Sequence, residues 1–225
     1  MTTDARTLRA LLEEGHRLSR RFWEESAQDV LAAAGTLSAT LRDGGKILAC
    51  GNGGSASQAQ HFVDELVNRF ERERAAMAAV ALNVNSSTLT CIGNDRSFDE
   101  VFSRQVEALG RPGDALIGFT TSGTSPNVVR AVESARCRGL RTVALLGRKG
   151  GVLLDAVDHP LLVPGESTAR IQEVHLEILH ALCLLIEEDH CASSQADAPK
   201  QEPQVRRHST RKAGPKGARR RLSHR

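Results

Sequence analysis

The chain has 225 residues, of which 40% are hydrophobic and 25% are charged, and these proportions are typical of a globular domain with its own core. No apolar run approaches the roughly 20 residues that a membrane span needs, and residues 1–6 lack the basic start and apolar stretch of a secretory signal. Composition therefore argues against membrane and secreted proteins and predicts a cytoplasmic location.

The five cysteines predict neither disulfides nor a metal centre. Their number is odd, their spacings are wide, and no two of them form a C-x-x-C pair. This pattern argues against a disulfide framework and against a cysteine zinc site, so we expect small apolar side chains in the core.

Positive charge is concentrated at the C-terminus. Residues 193–225 contain ten Lys/Arg and two Asp/Glu, a net charge of +8 within a chain total of +3, so residues 1–192 carry −5. The large aliphatic residues of this segment are Val205 and Leu222 alone, which cannot bury enough apolar surface to offset the entropy of ordering. We predict one domain over residues 1–192 and a disordered basic tail over residues 193–225. A solvated tail is favoured over one that contacts nucleic acid.

Two amphipathic helices are predicted in the first 42 residues. Apolar residues recur at helical spacing within Leu8–Phe22 and again within Val30–Leu41, and Gly44 and Gly45 end the second helix. These helices are expected to cover either the chain's own sheet or a neighbouring subunit.

Five short apolar runs follow, most of them bounded by Gly, Pro or Asn. They are Lys46–Cys50, Ala79–Leu82, Ala115–Phe119, Thr142–Leu146 and Leu161–Val163. Helical patterns lie between or after them at Ser55–Phe70, Phe98–Leu109, Pro126–Arg138 and Ala169–Glu188. Runs that are apolar throughout are typical of parallel strands buried on both faces. The alternation predicts an α/β fold, a doubly wound five-stranded parallel sheet of the flavodoxin-like kind with helices on both faces, preceded by the N-terminal helices.

Two loops lie where open parallel sheets bind ligands, beyond the carboxyl ends of the strands. Residues 51–55 (Gly-Asn-Gly-Gly-Ser) follow the first strand, and their glycines let the backbone approach a ligand at a helix N-terminus. Residues 120–125 follow the third strand and contain five hydroxyl side chains just before Pro126, which suits a phosphate monoester. This loop has no Lys and is not a nucleotide P-loop. The alternative for either loop is an ordinary Gly- or Ser-rich turn.

Two helices carry candidate acid–base residues. His61 and Glu65 stand four residues apart on the face opposite the apolar stripe of their helix, where a solvated His–Glu pair is the alternative. Gln172 and His180 lie two turns apart on the last helix, so both can face one cleft. His175 lies nearer the apolar side, and we expect a buried, hydrogen-bonded histidine there.

Six motifs occur in register along roughly residues 5–190. They are residues 50–55 (Cys-Gly-Asn-Gly-Gly-Ser), 61–69 (His-Phe-x-x-Glu-Leu-x-x-Arg), 93–95 (Gly-Asn-Asp), 101–107 (Val-Phe-Ser-Arg-Gln-Val-Glu), 121–125 (Thr-Ser-Gly-x-Ser) and 170–175 (Arg-Ile-Gln-Glu-x-His), with a further His at 180. In this order and spacing the chain resembles the phosphoheptose isomerases of the sugar isomerase (SIS) superfamily.

The resemblance implies an aldose–ketose isomerase that converts sedoheptulose 7-phosphate to D-glycero-D-manno-heptose 7-phosphate through an enediol, in heptose biosynthesis. It implies Glu65 as the base at carbons 1 and 2 and His180 as the partner acid/base. The implied substrate contacts are Asn52, Gly53, Gly54, Ser55, Glu65, Asn94, Asp95, Thr120, Thr121, Ser122, Ser125 and Gln172.

Cofactors and assembly also follow from the resemblance. Some members hold zinc with residues that match His61, Glu65, Gln172 and His180, so one zinc per subunit is a candidate, although a Gln amide is a weak ligand. No organic cofactor is expected. A homotetramer is implied, and we expect His180 of one chain to approach Glu65 of a neighbour.

Three positions depart from the family pattern, and two other functions remain alternatives. Thr120 keeps a hydroxyl at its position, whereas Gln58 and Asp64 stand where Asp and Glu, respectively, are frequent and are expected to tune the sugar end of the site.

One alternative function is a non-catalytic SIS protein that binds a replication initiator; retention of Glu65 and His180 argues for the enzyme. The other is an isomerase of a different sugar phosphate.

Overall fold

A computed structural model describes residues 4–196 of the chain. In chain order the elements are α1 (Ala5–Arg42), β1 (Ile47–Gly51), α2 (Gly54–Val67), β2 (Ala79–Ala81), α3 (Ser86–Asp95), α4 (Ser103–Leu109), β3 (Ala115–Thr120), α5 (Pro126–Cys137), β4 (Arg141–Gly147), β5 (His159–Val163) and α6 (Thr168–Ala196). Short 3-10 turns occupy Phe98–Glu100 and Gly151–Leu153. Among residues 4–196, none of the helices has the length and apolar character to cross a membrane.

The five strands form one parallel sheet in the order β2-β1-β3-β4-β5. This order is that of flavodoxin-like folds, in which the winding direction reverses between β1 and β3. The predicted fold class is therefore confirmed. Gly51 at the end of β1 pairs in register with Phe119 near the end of β3, so the two loops singled out in the sequence leave the sheet side by side.

Two apolar clusters cover the two faces of the sheet. Because side chains alternate along a strand, Ile47 and Ala49 face the cluster that contains residues of α1, α2 and α6. Leu48 and Cys50 face the cluster beneath α4 and α5. Strands β1 and β3, which are neighbours in the interior of the sheet, are buried along their whole length. This burial explains their continuous apolar sequence.

The cysteines fit the sequence expectation only in part. All five are free; Cys50 and Cys183 are buried, but Cys91 and Cys137 are exposed and Cys191 is intermediate. The two exposed cysteines lie on α3 and α5.

The N-terminal segment is one helix of 38 residues and not the two helices that the sequence predicted. Asp4 caps it by accepting the N–H of Thr7 at 2.9 Å, and no proline interrupts residues 5–42. The stretch between the two apolar stripes stays helical because α6 packs along it: Trp23 donates its indole N–H to Glu177 at 2.9 Å. The helix thus covers the chain's own sheet and α6.

Several other elements differ from the predictions; α2, for example, ends at Val67 and not at Phe70. Helix α3 was not predicted: none of its residues is fully buried, and its apolar contact with the core consists of half-buried Leu89 and Ile92. The predicted helix Phe98–Leu109 is a 3-10 turn followed by α4. Helix α6 continues to Ala196, four residues beyond the predicted domain boundary, and the rest of the predicted tail lies outside the described residues.

Candidate active site

The loop after β1 meets α6 in close contact. A Cβ atom on Gly54 would lie 2.8 Å from the Gln172 amide nitrogen, so a larger residue at this position would displace the Gln172 side chain. The same nitrogen lies 3.4 Å from the hydroxyl oxygen of buried Ser55. A second contact joins the helices, since Gln58 donates to the backbone carbonyl of Gln172 at 2.6 Å. These contacts hold Gln172 against the loop after β1.

The loop after β3 gathers its hydroxyl groups around Thr120. The Thr120 hydroxyl oxygen lies 3.4 Å from that of Ser122 and 3.3 Å from that of Ser125, and it accepts the N–H of Gly123 at 3.2 Å. Ser125 is the N-cap residue of α5, yet its side chain makes no capping hydrogen bond. Its hydroxyl is thus turned toward the loop, at a helix N-terminus that favours anions.

Gly123 shapes this loop. Its φ of +65° lies in the left-handed region, and a Cβ there would fall 1.8 Å from the carbonyl oxygen of Gly150. The loop is therefore pressed against the segment that follows β4, which holds the hydroxyl cluster at the carboxyl edge of the sheet.

Asn127, which the sequence reasoning missed, ties the two loops together. Its side-chain amide exchanges two hydrogen bonds with that of Asn52, at 2.8 and 2.9 Å, and Asn127 is only 2% exposed. The amide nitrogen and oxygen of Asn52 are both used in this pair. Asn127 is a polar residue at the first position of the otherwise apolar buried face of α5. That pattern is the signal in the sequence that could have identified it.

The predicted acid–base residues come together within one chain. His61 Nε2 lies 3.0 Å from Glu65 Oε1. The His180 ring contacts the His61 ring edge-on at a centroid distance of 5.1 Å and stacks on Phe70 at 5.7 Å. The chain thus places its own His180 beside its own His61–Glu65 pair, and contacts with a neighbouring chain stay a prediction.

This cluster is partly open to solvent and borders the core. The side chains of His61 and Glu65 are 40% and 23% exposed. Burial, together with the nearby charge of Glu65, raises the pKa of the Cys183 thiol, so the carboxylate stands close to the buried interior of α6. A carboxylate and an imidazole in such a crevice can move protons between neighbouring atoms of a ligand.

His175 is a buried structural histidine, as expected. It is 0% exposed, and its Nε2 lies 2.9 Å from the carbonyl oxygen of Leu146 at the end of β4. Burial lowers its pKa to about 4, against the opposing effect of that hydrogen bond. The ring is therefore neutral near pH 7 and anchors α6 to the sheet.

Asn94 and Asp95 lie apart from this constellation. They end α3, are exposed, and bond to each other through Asn94 Nδ2 and Asp95 Oδ1 at 2.8 Å. Among the described residues, no hydrogen bond joins them to either loop or to the histidines. Thr121, another predicted contact, is half-buried in the loop after β3, and its carbonyl oxygen lies close to Gly147.

The predicted zinc ligands do not form a ligand shell in this arrangement. His61 turns its Nε2 to Glu65, and Gln172 turns its amide to Ser55. Within residues 4–196, no group of three or more His, Cys, Asp or Glu side chains is arranged to hold a metal ion. Zinc at His61, Glu65, Gln172 and His180 therefore stays a prediction from the sequence.

Fold and site define a doubly wound α/β protein with two polar loops at the switch point of its sheet. Residues 11–147 match the SIS domain family. The phosphoheptose isomerase of Aromatoleum aromaticum is 54% identical over 182 residues, which cover 75% of this chain and 91% of that relative. The chain belongs to the SIS domain family, among its phosphoheptose isomerases.

Solved structures agree with this assignment. Phosphoheptose isomerase GmhA from Neisseria gonorrhoeae is 44% identical and superposes with a TM-score of 0.76, covering 80% of this chain and 97% of that one. A phosphoheptose isomerase from Francisella tularensis is 37% identical with a TM-score of 0.80, covering 83% of this chain and 100% of that one.

Proposed function

We propose that this chain is an aldose–ketose isomerase that converts sedoheptulose 7-phosphate to D-glycero-D-manno-heptose 7-phosphate, a step of heptose biosynthesis. The observation that carries the proposal is the meeting of Glu65, His61 and His180 within one chain. Gln172, two turns before His180 on α6, lies against the loop after β1. The relatives named above support the same reaction class.

The phosphate end of the substrate belongs at the loop after β3. The Thr120 hydroxyl lies 3.4 Å from that of Ser122 and 3.3 Å from that of Ser125, and the N-terminus of α5 adds the positive end of a helix dipole. A phosphate monoester accepts hydrogen bonds from such donors without needing a cation from the loop itself. The Asn52–Asn127 pair holds this loop beside the loop after β1.

The sugar end then reaches the acid–base cluster. Glu65 removes a proton from carbon 1 of the ketose while His180 protonates the carbonyl oxygen on carbon 2, which gives the enediol. Glu65 returns its proton to carbon 2, and His180 takes the hydroxyl proton from the oxygen on carbon 1, which gives the aldose. His61 holds the Glu65 carboxylate in place through the 3.0 Å contact.

The direct test is incubation of purified protein with sedoheptulose 7-phosphate, followed by NMR detection of the aldose. Pentose and hexose phosphates are compared at the same concentration. Faster turnover of a shorter sugar phosphate would show that the substrate assignment is wrong. The relatives give no support to the alternative of a non-catalytic protein that binds a replication initiator.

Zinc remains a separate proposal for the set His61, Glu65, Gln172 and His180. The closeness of the two histidines supports it, and the hydrogen bond between His61 and Glu65 opposes it. Metal analysis of the purified protein, with turnover before and after chelation, tests it. Unchanged turnover in metal-free protein would contradict a catalytic zinc.

We also propose a homotetramer in the cytoplasm. The support for assembly is the exposure of leucines on α1, where Leu8, Leu11, Leu12 and Leu31 are 43–57% exposed. Sedimentation equilibrium tests the tetramer, and a monomer at micromolar concentration would contradict it. Cell fractionation tests the location, which stays a prediction from the sequence.

A further inference from the structure

The segment after α2 is held in place by one buried carboxylate. Residues 68–78 contain neither helix nor strand. Glu187 on α6 is 1% exposed, and it accepts the backbone N–H groups of Phe70, Glu71 and Arg72 at 3.0, 2.8 and 2.9 Å. Three consecutive amides thus converge on a single anion, as in backbone anion-binding concavities.

Arg74 completes this connection from the other side. Its side chain is 3% exposed, and its Nε lies 3.1 Å from Glu187 Oε1. The two terminal nitrogens of its guanidinium donate to the carbonyl oxygens of Leu66 at 2.9 Å and Glu65 at 2.7 Å. Carbonyls in the last turn of a helix lack partners within the helix. Arg74 therefore supplies hydrogen-bond donors to the last turn of α2, which includes Glu65, the predicted base.

The carboxylate of Glu187 stays ionised in this environment. Burial alone would raise its pKa, but the N–H groups of Glu71, Phe70 and Arg72 and the charge of Arg74 hold the pKa below its ordinary value. An amide at this position would keep the shape but turn an NH₂ group toward backbone donors. The negative charge of Glu187 is therefore required for residues 68–78 to pack against α6.

This network reaches the acid–base cluster through two contacts. Phe70, whose N–H is held by Glu187, stacks on the His180 ring with an interplanar angle of 26°. Glu65, whose carbonyl is held by Arg74, carries the carboxylate that contacts His61. Glu187 itself lies two turns beyond His180 on the same helix. One buried ion pair thus links the elements that carry both predicted catalytic residues.

We propose that Arg74 and Glu187 are positioning residues of the isomerase, which set the His180 imidazole against Phe70 and the end of α2 beneath Glu65. The assignment rests on the proposed function for its chemistry, but its geometric part is independent of any substrate. Loss of the pair moves the proton-transfer groups and leaves the phosphate loop after β3 in place. The pair thus acts on turnover more than on substrate binding.

A second buried pair provides a matched control for a purely stabilising role. Asp114 is 3% exposed, accepts the N–H groups of Lys46 and Arg111 at 2.9 and 2.8 Å, and pairs with the Lys46 ammonium group. It lies at the start of β3, at the opposite edge of the sheet from the site. Asp114→Asn therefore removes a comparable buried charge far from the acid–base cluster.

The kinetic experiment compares wild type, Glu187→Gln and Asp114→Asn on sedoheptulose 7-phosphate, with melting temperatures measured in parallel. We expect Glu187→Gln to lower kcat roughly 10- to 100-fold, since small displacements of reacting groups cost this much, with KM within about 3-fold of wild type. Asp114→Asn should lose stability but keep kcat. Equal losses of kcat in both variants, or none in Glu187→Gln, would overturn the positioning role.

The second readout needs no turnover and separates this proposal from the proposed function. Protons above an aromatic ring face are shifted upfield, so release of Phe70 should move the His180 ring C–H resonances downfield. These resonances are assigned by their loss in His180→Gln. We expect the downfield move in Glu187→Gln and not in Asp114→Asn; unmoved His180 resonances in Glu187→Gln would contradict the proposal.

Absence of turnover in wild type and misfolding of Glu187→Gln would each be informative. If wild type shows no turnover, the isomerase assignment fails, while the NMR comparison still decides the geometry. If Glu187→Gln does not fold, Arg74→Lys takes its place with the same criteria, because lysine keeps the charge but cannot reach both helix carbonyls.

Discussion

At the scale of single residues, burial decides which histidines can take part in proton transfer. His175 is fully enclosed beside the carbonyl oxygen of Leu146, and its lowered pKa of about 4 keeps it neutral. His61 is 40% exposed and touches Glu65 instead. The same residue type thus anchors a helix at one position and contacts the predicted base at another.

The buried His175 makes stability depend on pH. Its folded-state pKa of about 4 lies below the ordinary value of 6.5, so below pH 6.5 the unfolded chain takes up a proton that the folded chain refuses. The free energy of unfolding should therefore fall as the pH drops toward 4. Between about pH 7 and pH 5 the loss should be roughly 2 kcal/mol, at about 1.4 kcal/mol per pKa unit.

Urea denaturation of wild type and His175→Gln at both pH values measures this loss. The variant has no titrating group at the position, so its stability should change less with pH. The same pH dependence in both proteins would place the effect at another residue.

The contacts that could not be predicted from the sequence depend on tertiary structure. Asn52 and Asn127 are 75 positions apart, and nothing in either local sequence pairs them. Phe70 was assigned to the end of a helix by its apolar spacing, but it lies in the irregular segment after α2 and stacks on His180. His61, Glu65 and His180 were identifiable because helical spacing and family motifs mark them.

At the scale of elements, the loop after β3 presents several hydroxyls at one helix N-terminus. Ser122→Ala and Ser125→Ala should each raise KM for the sugar phosphate, because a hydrogen bond to a charged group typically contributes about 1.5–3 kcal/mol. The double variant should show the larger rise, with kcat less affected. Steady-state kinetics measures both constants.

Thr124→Ala is the matched control for these variants. It removes an exposed hydroxyl from the same loop that is not among the predicted contacts, and KM should stay near the wild-type value. An unchanged KM in the double serine variant would place the phosphate elsewhere.

The elements themselves were predictable to the extent that they bury a periodic apolar face. All five strands were found because each is a short apolar run. Helix α3 was not, and none of its residues is fully buried. The break predicted within residues 5–42 is absent because contacts with α6, such as Trp23 with Glu177, support the less apolar middle of α1.

At the scale of the whole molecule, the described chain contains both members of the predicted catalytic pair in one place. Glu65 and His180 both adjoin His61 of the same chain. Mixing Glu65→Gln and His180→Gln subunits should therefore restore no activity, even within a confirmed mixed oligomer, because every site would contain one inactive residue. Activity assays after joint refolding measure this. Recovery of turnover would mean that the pair is built from two chains.

The most direct test of the central claim is a proton NMR time course in D₂O with sedoheptulose 7-phosphate and three proteins: wild type, Glu65→Gln and His180→Gln. We predict that wild type forms the aldose, whereas each variant, folded by circular dichroism, is slower by about 100-fold or more. No aldose from wild type, or wild-type rates from both variants, would contradict the account.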